Sequence, residues 1–394
     1  MLPARFERIV SRADPADFEG IVVQQPPFHV FADRMAGIAC ESGAACARRA
    51  NDGEKVGAWR CLESAATLPT QSMAFAGALS DSMLASDRIE IFSHSDRWCA
   101  AALLPLCRGE GYFARWRMLG AREVFEPNDV ICCDSGAVEG LARSIAMQPR
   151  PLSLDRVPAS SPLVPALLQA MRGRGIVSLR PDVPYPVIEL DEGWREPDAR
   201  FNSRRRSDFR RAMRRARAFG DVTFEAYSPE QELFDAVFDE AIHVEMSSWK
   251  NEAGTAIGKD RQKEEFFRSF FRLANAQGMF RVAFMRIDGR AVAMQMAVEF
   301  QRKYWLFKIG FDEEFQRCSP GTLLMLHTLG DAAQRGLEAY EFLGHCEQWI
   351  ADFWTKQQHD CLRIRTYPFN FRGLAAIAAD GAAWLLHRIA GRAE

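Results

Sequence analysis

The stretch that decides the fold is YWLFKIGFDEEFQRCSPGTLL, residues 304–324. Its first eight residues are apolar or glycine except for Lys308, which is typical of a buried strand. Ser319 is suited to a helix N-cap, and Pro320 to the first helical turn, where its missing N–H is harmless. A strand that enters a helix through a short turn leaves the first helical N–H groups unpaired, and these donors attract anions. The stretch therefore predicts a diphosphate-binding turn within 312–322, although the same residues also suit an ordinary helix start.

Strand and helix signals surround this stretch. Asp288-Gly289 separates two alternating apolar runs, which is a strong hairpin signal. Strands are predicted at 279–287, 290–300, 304–311, 339–343 and 362–367. Helices are predicted at 203–219, 230–249, 263–277, 320–334 and 348–357. The second half of the chain is therefore predicted to be an α/β unit built around a three-stranded antiparallel meander.

The first half of the chain has weaker signals. Helical periodicity near 59–66 and 73–84, with strand-like runs at 89–92 and 98–106, indicates another mixed α/β unit. Nine of the nineteen prolines fall within 149–200, so this segment is predicted to join two units and to contain only short elements. The predicted organisation is an arm at 1–58, a first unit at 59–180, a second unit at 181–370 and a C-terminal helix at 371–394.

Composition excludes several classes of protein. The 394 residues are 48% hydrophobic and 26% charged with a net charge of −2, so extensive disorder and global attraction to nucleic acid or an acidic membrane are not expected. The ten cysteines show no Cys-x-x-Cys pair and no zinc-type spacing with histidine, which favours reduced thiols and no metal. The sequence shows no secretory signal and no apolar window long enough to span a membrane, so a cytoplasmic location is predicted.

Several segments of the second half occur together in a recognisable order: SRRR at 203–206 with FRR at 209–211, SSWK and GTAI at 247–257, DGR at 288–290, the stretch 305–324, and FLG at 342–344 followed by Glu347. Together they resemble the GNAT-type acyltransferase domain of the CelD-like, cellulose-biosynthesis group, which is related to Fem-type aminoacyltransferases. The resemblance spans about residues 185–367. It implies an α/β fold of tandem GNAT-like units, with a mixed central sheet flanked by helices and a degenerate N-terminal unit.

The resemblance also implies an activity. It implies transfer of an acyl group from acetyl-CoA or another acyl-CoA to an amine of a small molecule or a polysaccharide precursor. The donor's pyrophosphate would bind the turn formed by Arg317, Cys318, Ser319, Pro320, Gly321 and Thr322. In this sequence a proline replaces the first glycine of the usual GNAT turn, which removes one N–H donor. Fem-type relatives take their acyl group from aminoacyl-tRNA, so tRNA is an alternative partner, and a non-catalytic GNAT-like binding module is a third interpretation.

Acyl transfer needs a proton acceptor for the amine and donors for the oxyanion. Lys308, expected on the same face of its strand as Leu306 and Gly310, is expensive to bury unless it is paired or faces a cleft. The predicted catalytic residues are Lys308, Glu245, His345 and Asp312, and the predicted substrate-binding residues are Trp249, Lys250 and Glu347. Each also has an ordinary structural interpretation: Asp312, for instance, could be the counter-ion of Lys308 or could simply begin a turn.

Residues 200–217 contain nine arginines and only Asp208 to balance them. The apolar residues Phe209, Ala212, Met213, Ala216 and Phe219 recur at helical spacing, so the arginines are predicted to cover the rest of a helix. A solvated helix whose arginines pair with acidic residues elsewhere is the simpler interpretation. Binding of coenzyme A phosphates, tRNA or an anionic membrane surface, as a peripheral contact, is the alternative.

Overall fold

The computed structural model describes residues 52–96, 99–248, 257–344 and 346–390. Within these residues the strands form one twelve-stranded sheet. The strands are β1 Arg88–Asp96, β2 Cys99–Arg108, β3 Trp116–Met118, β4 Ile131–Cys132, β5 Leu152–Pro158, β6 Gly175–Glu189, β7 Val222–Tyr227, β8 Phe280–Ile287, β9 Arg290–Phe300, β10 Lys303–Phe311, β11 Ala339–Phe342 and β12 Gln358–Pro368.

Helices cover both faces of this sheet. They are α1 Asp52–Leu62, α2 Met73–Ser82, α3 Ser135–Ala146, α4 Leu163–Ala170, α5 Ser203–Arg217, α6 Phe234–Met246, α7 Arg261–Ala276, α8 Pro320–Gln334, α9 Gln348–Phe353 and α10 Phe371–Ala390. Of the helices described, none combines the length and the apolar composition needed to cross a bilayer.

The strand order is β1-β2-β3-β5-β12-β6-β11-β10-β9-β8-β7, with β4 paired to β2. The pairs β3–β5 and β10–β11 are parallel, whereas the other neighbours are antiparallel. The predicted α/β class with a mixed central sheet flanked by helices is therefore confirmed.

The two halves of the chain repeat one order of elements. Each has a three-stranded antiparallel run, a helix, a strand parallel to the third strand, a second helix and a last strand. The last strands are exchanged: β12 of the second half pairs with β5, and β6 of the first half pairs with β11. Because β6 and β12 also pair with each other, the exchange joins the halves into one sheet.

The expectation of a segment with only short elements at 149–200 is wrong. Strand β6, fifteen residues long, crosses the boundary predicted at 180/181 and lies near the middle of the sheet. Pro181, Pro184 and Pro186 are part of this strand, and a register shift in its pairing with β12 occurs beside them. Prolines are tolerated in strands next to such irregularities because a ladder hydrogen bond is already missing there. The division into domains stays a prediction.

Most elements predicted for the second half are confirmed. Asp288 and Gly289 both have positive φ (48° and 81°), as expected of a two-residue hairpin turn, and they connect β8 to β9. Helix α8 has the predicted bounds, 320–334. Strand β7 was not predicted: it is a half-buried edge strand whose apolar alternation is short. The predicted arm at 1–58 lies outside the described residues up to 51, and helix α1 begins at Asp52.

A phenylalanine cluster packs the two halves against each other. Phe266, Phe267, Phe270 and Phe271 of α7 are all buried against the sheet. Phe75 of α2, from the first half, meets the rings of Phe266 and Phe270 edge-on at centroid distances of 5.4 and 5.3 Å. Full burial of one such side chain contributes about 1.5–3 kcal/mol. The two halves therefore share a hydrophobic core as well as a sheet.

Replacement of Gly310 by alanine should destabilise the protein. A Cβ at this position of β10 would lie 2.8 Å from Cα of Glu245 in α6, and backbone cannot move aside as a side-chain end can. We expect Gly310→Ala to lower the free energy of unfolding by roughly 1–3 kcal/mol, measured by urea denaturation. Gly321→Ala is the matched control, because its Cβ would meet only Phe311, at an ordinary 3.6 Å. Equal stability of the two variants would show that β10 and α6 are not so closely packed.

Candidate functional site

Strands β10 and β11 separate and open a wedge. Their parallel pairing ends at Leu306 and Phe342, whereas β10 continues to Phe311 and stays paired with β9. On the side of β10 that faces the wedge, no strand among the described residues pairs with 307–311. Ligands of α/β proteins commonly bind where neighbouring strands part at their carboxyl ends. The wedge between 307–311 and the segment after Phe342 is therefore the candidate site.

A β-bulge turns Lys308 toward the α6–α7 side of the sheet. The pairing register of β10 with β9 shifts between Leu306 and Lys308. The ring of Phe307 packs on α7, and the Lys308 ammonium lies 4.3 Å from the centre of the Phe267 ring of the same helix. Leu306 packs in the cluster on the opposite face. The predicted shared face of Lys308 and Leu306 is therefore wrong, because a bulge interrupts the alternation of side chains.

The first half of the chain contributes a buried carboxylate to this wedge. Glu126 is only 4% exposed, and its Oε2 accepts a hydrogen bond from the N–H of Gly344, just beyond β11 (3.3 Å). Arg156 of β5 is fully buried and donates through Nη2 to the Gly344 carbonyl (2.7 Å) and through Nη1 to the Phe125 carbonyl. Both the N–H and the carbonyl of Gly344 are thus hydrogen-bonded to residues of the first half.

The environment of Glu126 changes its acidity. Burial raises the pKa of Glu126 to about 7, against the lowering effects of Arg156, Lys308 and the Gly344 hydrogen bond. The residues beside it are conformationally unusual: Phe125 and Arg156 have φ values of 60° and 54°, in the left-handed region that side chains other than glycine rarely adopt. Such conformations concentrate at functional sites.

Sequence reasoning missed Glu126 and Arg156. Glu126 lies in a stretch with no steady period, and Arg156 lies in a short strand that was not predicted as a separate element. Their meeting with Gly344 depends on contacts between positions about 190 to 220 residues apart. We find no local signal in the sequence that would have selected them.

The predicted phosphate turn lies directly after β10. Residues Glu313–Cys318 form a 3₁₀ helix that leads into α8, and Ser319 joins the two with left-handed backbone angles (φ 50°, ψ 55°). Arg317 and Ser319 are exposed, and Gly321 and Thr322 are half-buried. Cys318 is buried and donates its thiol hydrogen to the Phe315 carbonyl (3.0 Å), and Pro320 is also buried. The turn is therefore accessible to solvent at Arg317 and Ser319, whereas the Cys318 side chain faces the core.

The hydrogen bonds of this turn differ from the prediction. Ser319 occupies the N-cap position, but its side chain makes no capping hydrogen bond. Its carbonyl instead accepts from the N–H groups of Thr322 (3.1 Å) and Leu323 (3.2 Å). Pro320 has no N–H, so the Gly321 N–H is the helix-start donor left without a partner among the described residues. The turn offers an anion one backbone donor instead of several.

The arginine-rich helix α5 lies beside the turn. Arg215 donates to the Arg317 carbonyl (3.1 Å). A groove of about 520 Å³ separates α5 from α8, and it is lined by Pro197, Asp198, Phe209, Arg210, Met213, Arg214, Arg217, Phe224, Leu323, Leu326 and His327. Within the described part of the chain, Arg210, Arg214 and Arg217 form no salt bridge, whereas Arg211 pairs with Asp208 (2.8 Å). Acidic residues of the described ranges therefore form no ion pair with these three arginines, in contrast to the simpler interpretation of this helix.

Glu245 and Asp312 both have structural partners. Glu245 is buried, and its Oε2 accepts from the N–H of Ile257 (3.0 Å). Asp312 accepts a hydrogen bond from the N–H of Glu314 (3.0 Å) and pairs with Arg290. It therefore begins the turn after β10, which is one of the two interpretations that the sequence allowed. Its counter-ion is Arg290 and not Lys308. The catalytic roles of Glu245 and Asp312 stay predictions.

The remaining predicted residues lie elsewhere or are not described. Glu347 is exposed at the start of α9 and accepts from the indole N–H of Trp349. Trp249, Lys250 and His345 fall outside the described residues. Among the residues that are described, no group of three histidine, cysteine or acidic side chains is placed to hold a metal ion.

Part of the second half matches a known family. Residues 203–350, fewer than half of the chain, match the model of the acetyltransferase (GNAT) domain. This stretch is therefore similar to a GNAT-type acetyltransferase domain. The domain contains the wedge-forming β10 and β11, the turn at 317–322 and the arginine-rich helix α5, whereas Glu126 and Arg156 lie outside it. No curated protein sequence matches the chain.

Solved structures with a similar arrangement include proteins of several activities. The C-terminal domain of a protein described as a lysylphosphatidylglycerol synthetase, from Agrobacterium fabrum, is 13% identical, with a TM-score of 0.47 over 82% of this chain and 96% of that one. FemX is 12% identical, with a TM-score of 0.47 over 76% and 91%. A tandem GNAT protein from the clavulanic acid biosynthesis pathway is 14% identical, with a TM-score of 0.40 over 81% and 96%. Likenesses this distant establish neither an activity nor a substrate.

Replacement of Arg156 should destabilise the wedge. Arg156→Gln would remove the guanidinium that donates to the half-buried carbonyls of Phe125 and Gly344 and whose charge favours ionised Glu126. We expect a loss of roughly 3 kcal/mol in the free energy of unfolding, measured by chemical denaturation. Arg143→Gln is the control, since Arg143 is exposed and should change stability by about 0.5 kcal/mol or less. A similarly small effect for both variants would show that Arg156 does not hold the wedge together.

Proposed function

We propose that the chain transfers an acyl group, in the first instance an acetyl group, from acyl-coenzyme A to an amine. The observation that supports this most directly is the wedge between β10 and β11, which lies beside the solvent-accessible turn of a GNAT-like domain. Assignment to the CelD-like group, and hence an amine on a polysaccharide precursor, belongs to the same proposal.

Donor binding is proposed at the turn 317–322. The Gly321 N–H is available, and the space in front of Gly321 is open, because even an added Cβ would meet only Phe311 at 3.6 Å. Ser319 is exposed and Thr322 is half-buried, and each carries a hydroxyl group. Since Pro320 removes one backbone donor, the α5 arginines that line the adjoining groove would supply the remaining charge for the nucleotide phosphates.

The wedge is proposed to hold the extended arm of the donor. The pairing of β10 with β11 ends at Leu306 and Phe342, while β10 continues to Phe311, so the two strands part there. Ligands of α/β proteins commonly bind where neighbouring strands part in this way. This position directs the thioester toward Lys308, Gly344 and Glu126.

Glu126 is proposed as the proton acceptor and Lys308 as the charge that stabilises the oxyanion. Attack of the amine on the thioester that acyl-coenzyme A supplies forms a C–N bond and breaks a C–S bond. Glu126 accepts the proton released by the amine nitrogen and returns it to the departing sulfur. The raised pKa suits this task, because a carboxyl group with a pKa near 7 can both take up and release a proton at neutral pH.

The other predicted residues are assigned supporting roles. Glu245 and Asp312 would position the end of β10, since each anchors a segment next to it. Contact with the amine is proposed for Trp249, Lys250 and Glu347, and a relay of the proton for His345. These roles rest on their places in the sequence.

Calorimetric titration with acetyl-coenzyme A and with tRNA, each at two salt concentrations, tests the proposed donor. Binding of acetyl-coenzyme A supports the proposal. Binding of tRNA alone, with steep salt dependence, would replace it with aminoacyl transfer. Failure to bind either would favour a non-catalytic binding module.

Gly321→Glu should abolish donor binding while leaving the fold intact. The substitution places bulk and negative charge where the phosphates are proposed to lie, at a half-exposed helix start. We expect the affinity for coenzyme A to fall below detection by calorimetry, with a nearly unchanged melting temperature. Gly321→Ala is the control and should retain binding. Unchanged affinity in Gly321→Glu would remove the turn from the donor site.

The pH dependence of turnover should report on Glu126. The protonated carboxyl cannot accept the amine's proton, so kcat/KM is expected to rise with pH until the carboxyl ionises near pH 7. In Glu126→Gln this rise should disappear and kcat should fall by about 10²–10⁴-fold, the usual contribution of a general base. Asp129→Asn is the control, because burial raises the pKa of Asp129 to a similar value of about 7 but its partner is Ser161. A pH rise that survives in Glu126→Gln would exclude Glu126 as the base.

A further inference from the structure

Helix α10 presents an apolar face to solvent. Phe371, Leu374 and Leu386 are 67%, 63% and 67% exposed, and Leu385 is also exposed. Charged residues of this helix between 371 and 386 are Arg372 and Asp380 only. An exposed row of large apolar side chains on a helix commonly marks an interaction surface.

The orientation of α10 is fixed by contacts on its inner face. Asp380 accepts from Arg115 (2.8 Å) and from the Tyr367 hydroxyl (2.7 Å), and Arg115 also donates to the Ala376 carbonyl (3.0 Å). Gly373 lies against Pro368, where a Cβ would come within 1.9 Å of the Pro368 carbonyl oxygen. Asp380 therefore faces the protein, whereas the large apolar residues Phe371, Leu374, Leu385 and Leu386 face outward.

A loop from the first half extends this surface. Tyr112 and Phe113 are both more than half exposed, and the Phe113 ring lies 5.9 Å from the ring of Phe371. Arg150 holds the loop by donating to the carbonyls of Gly111, Tyr112 and Ala114 (3.0–3.2 Å). Together with α10, these aromatic residues form what we call the apolar surface: Tyr112, Phe113, Phe371, Leu374, Leu385 and Leu386.

Four arginines gather beside the apolar surface. Arg88 and Arg108 face each other directly on β1 and β2, and the guanidinium of Arg372 lies 4.1 Å from the centre of the Tyr112 ring. Burial lowers the pKa of Arg150, and the charges of Arg108, Arg372 and Arg88 lower it further. These four residues, Arg88, Arg108, Arg150 and Arg372, are called the arginine cluster.

The arginine cluster is incompletely neutralised. Glu90 lies 3.7 Å from Arg88, and it is the carboxylate paired with the cluster among the described residues. The Nε atoms of Arg88, Arg108 and Arg372 are shielded from solvent and have no acceptor in the described part of the chain. Like charges held together, with Glu90 as their one paired carboxylate in the described ranges, favour an anionic ligand.

We propose that the arginine cluster and the apolar surface together dock the protein on an anionic phospholipid bilayer. Lipid phosphates would accept from the arginines, while α10, Tyr112 and Phe113 would enter the interface between headgroups and acyl chains. The pairing of an apolar helix face with adjacent basic residues is what an interfacial helix requires. This surface is separate from α5, the helix for which the sequence suggested membrane contact.

A second copy of the chain fits this surface less well. A symmetric dimer would place the same patch of each copy against the other, so two arginine clusters would share one interface. Like charges brought together in this way oppose association. An anionic bilayer instead complements both parts of the surface at once.

The test is flotation of the full chain with two kinds of vesicle, phosphatidylcholine alone and an equimolar mixture with phosphatidylglycerol. We expect binding to the mixed vesicles, weakened by salt, and little binding to the neutral ones.

Arg372→Gln should weaken binding by about fivefold, since one basic residue near an anionic surface contributes about that factor. Leu374→Glu combined with Leu385→Glu should abolish it. Both leucines are exposed, so these changes should leave the fold and the binding of coenzyme A unchanged.

Matched controls come from other faces of the molecule. Arg143→Gln and Leu168→Glu also change an exposed arginine and an exposed leucine, and neither should alter vesicle binding. Equal binding to neutral and anionic vesicles, or binding insensitive to the α10 and cluster variants, would overturn the proposal. The proposal would also be wrong if the chain bound neither kind of vesicle but formed a dimer in sedimentation equilibrium. In that case the double leucine variant would be monomeric.

Discussion

Antiparallel pairing of β6 with β12 is the interaction on which the rest of the structure depends. It runs from Gly175 opposite Pro368 to Pro186 opposite Gln358 and joins the two exchanged strands at the middle of the sheet. Because of this exchange, β6 of the first half pairs with β11 of the second half, and β12 of the second half pairs with β5 of the first half. Each half therefore completes the sheet of the other. The same pairing brings the first half next to Gly344, where Glu126 and Arg156 reach the wedge of the second half. A candidate site that combines both halves is thus a consequence of the topology.

The wedge combines features that stability alone does not favour. A buried carboxyl group and left-handed backbone at Phe125 and Arg156 each cost free energy. The aromatic packing of α7 on β10 and the shared core around Phe75 can offset these costs, because each buried phenylalanine side chain adds to the free energy of unfolding. Unfavourable features that are concentrated in one place and stabilised from outside are typical of functional sites. This pattern supports the location of the site independently of the GNAT match.

The parts of the fold that follow from the sequence are those set by local chemistry. The Asp288-Gly289 hairpin, the start of α8 at Pro320 and the apolar stripe of α5 each depend on residues a few positions apart. The first two are confirmed, and the stripe is confirmed for Phe209, Ala212 and Ala216 but not for Phe219, which lies beyond the helix and is exposed. Strand β6 was not predicted because its prolines indicate a linker, and only pairing with β12 makes them acceptable. The bulge that turns Lys308 toward Phe267 has no sequence signal, because strand alternation continues unbroken through residues 306–308. Glu126 could not be predicted, since its environment is built by Arg156 and Gly344, which are distant in sequence.

The distribution of charge adds information that the overall composition does not contain. A net charge of −2 argues against global attraction to polyanions, yet the structure concentrates arginines in two separate places. Arg210, Arg214 and Arg217 line the groove beside the phosphate turn, and the arginine cluster lies beside α10. Electrostatic interactions at physiological salt are screened over about 8–10 Å, so a bound anion responds to the few charges near it and not to the total. Two basic sites can therefore act on different ligands, a nucleotide and a membrane, in a chain that is nearly neutral overall.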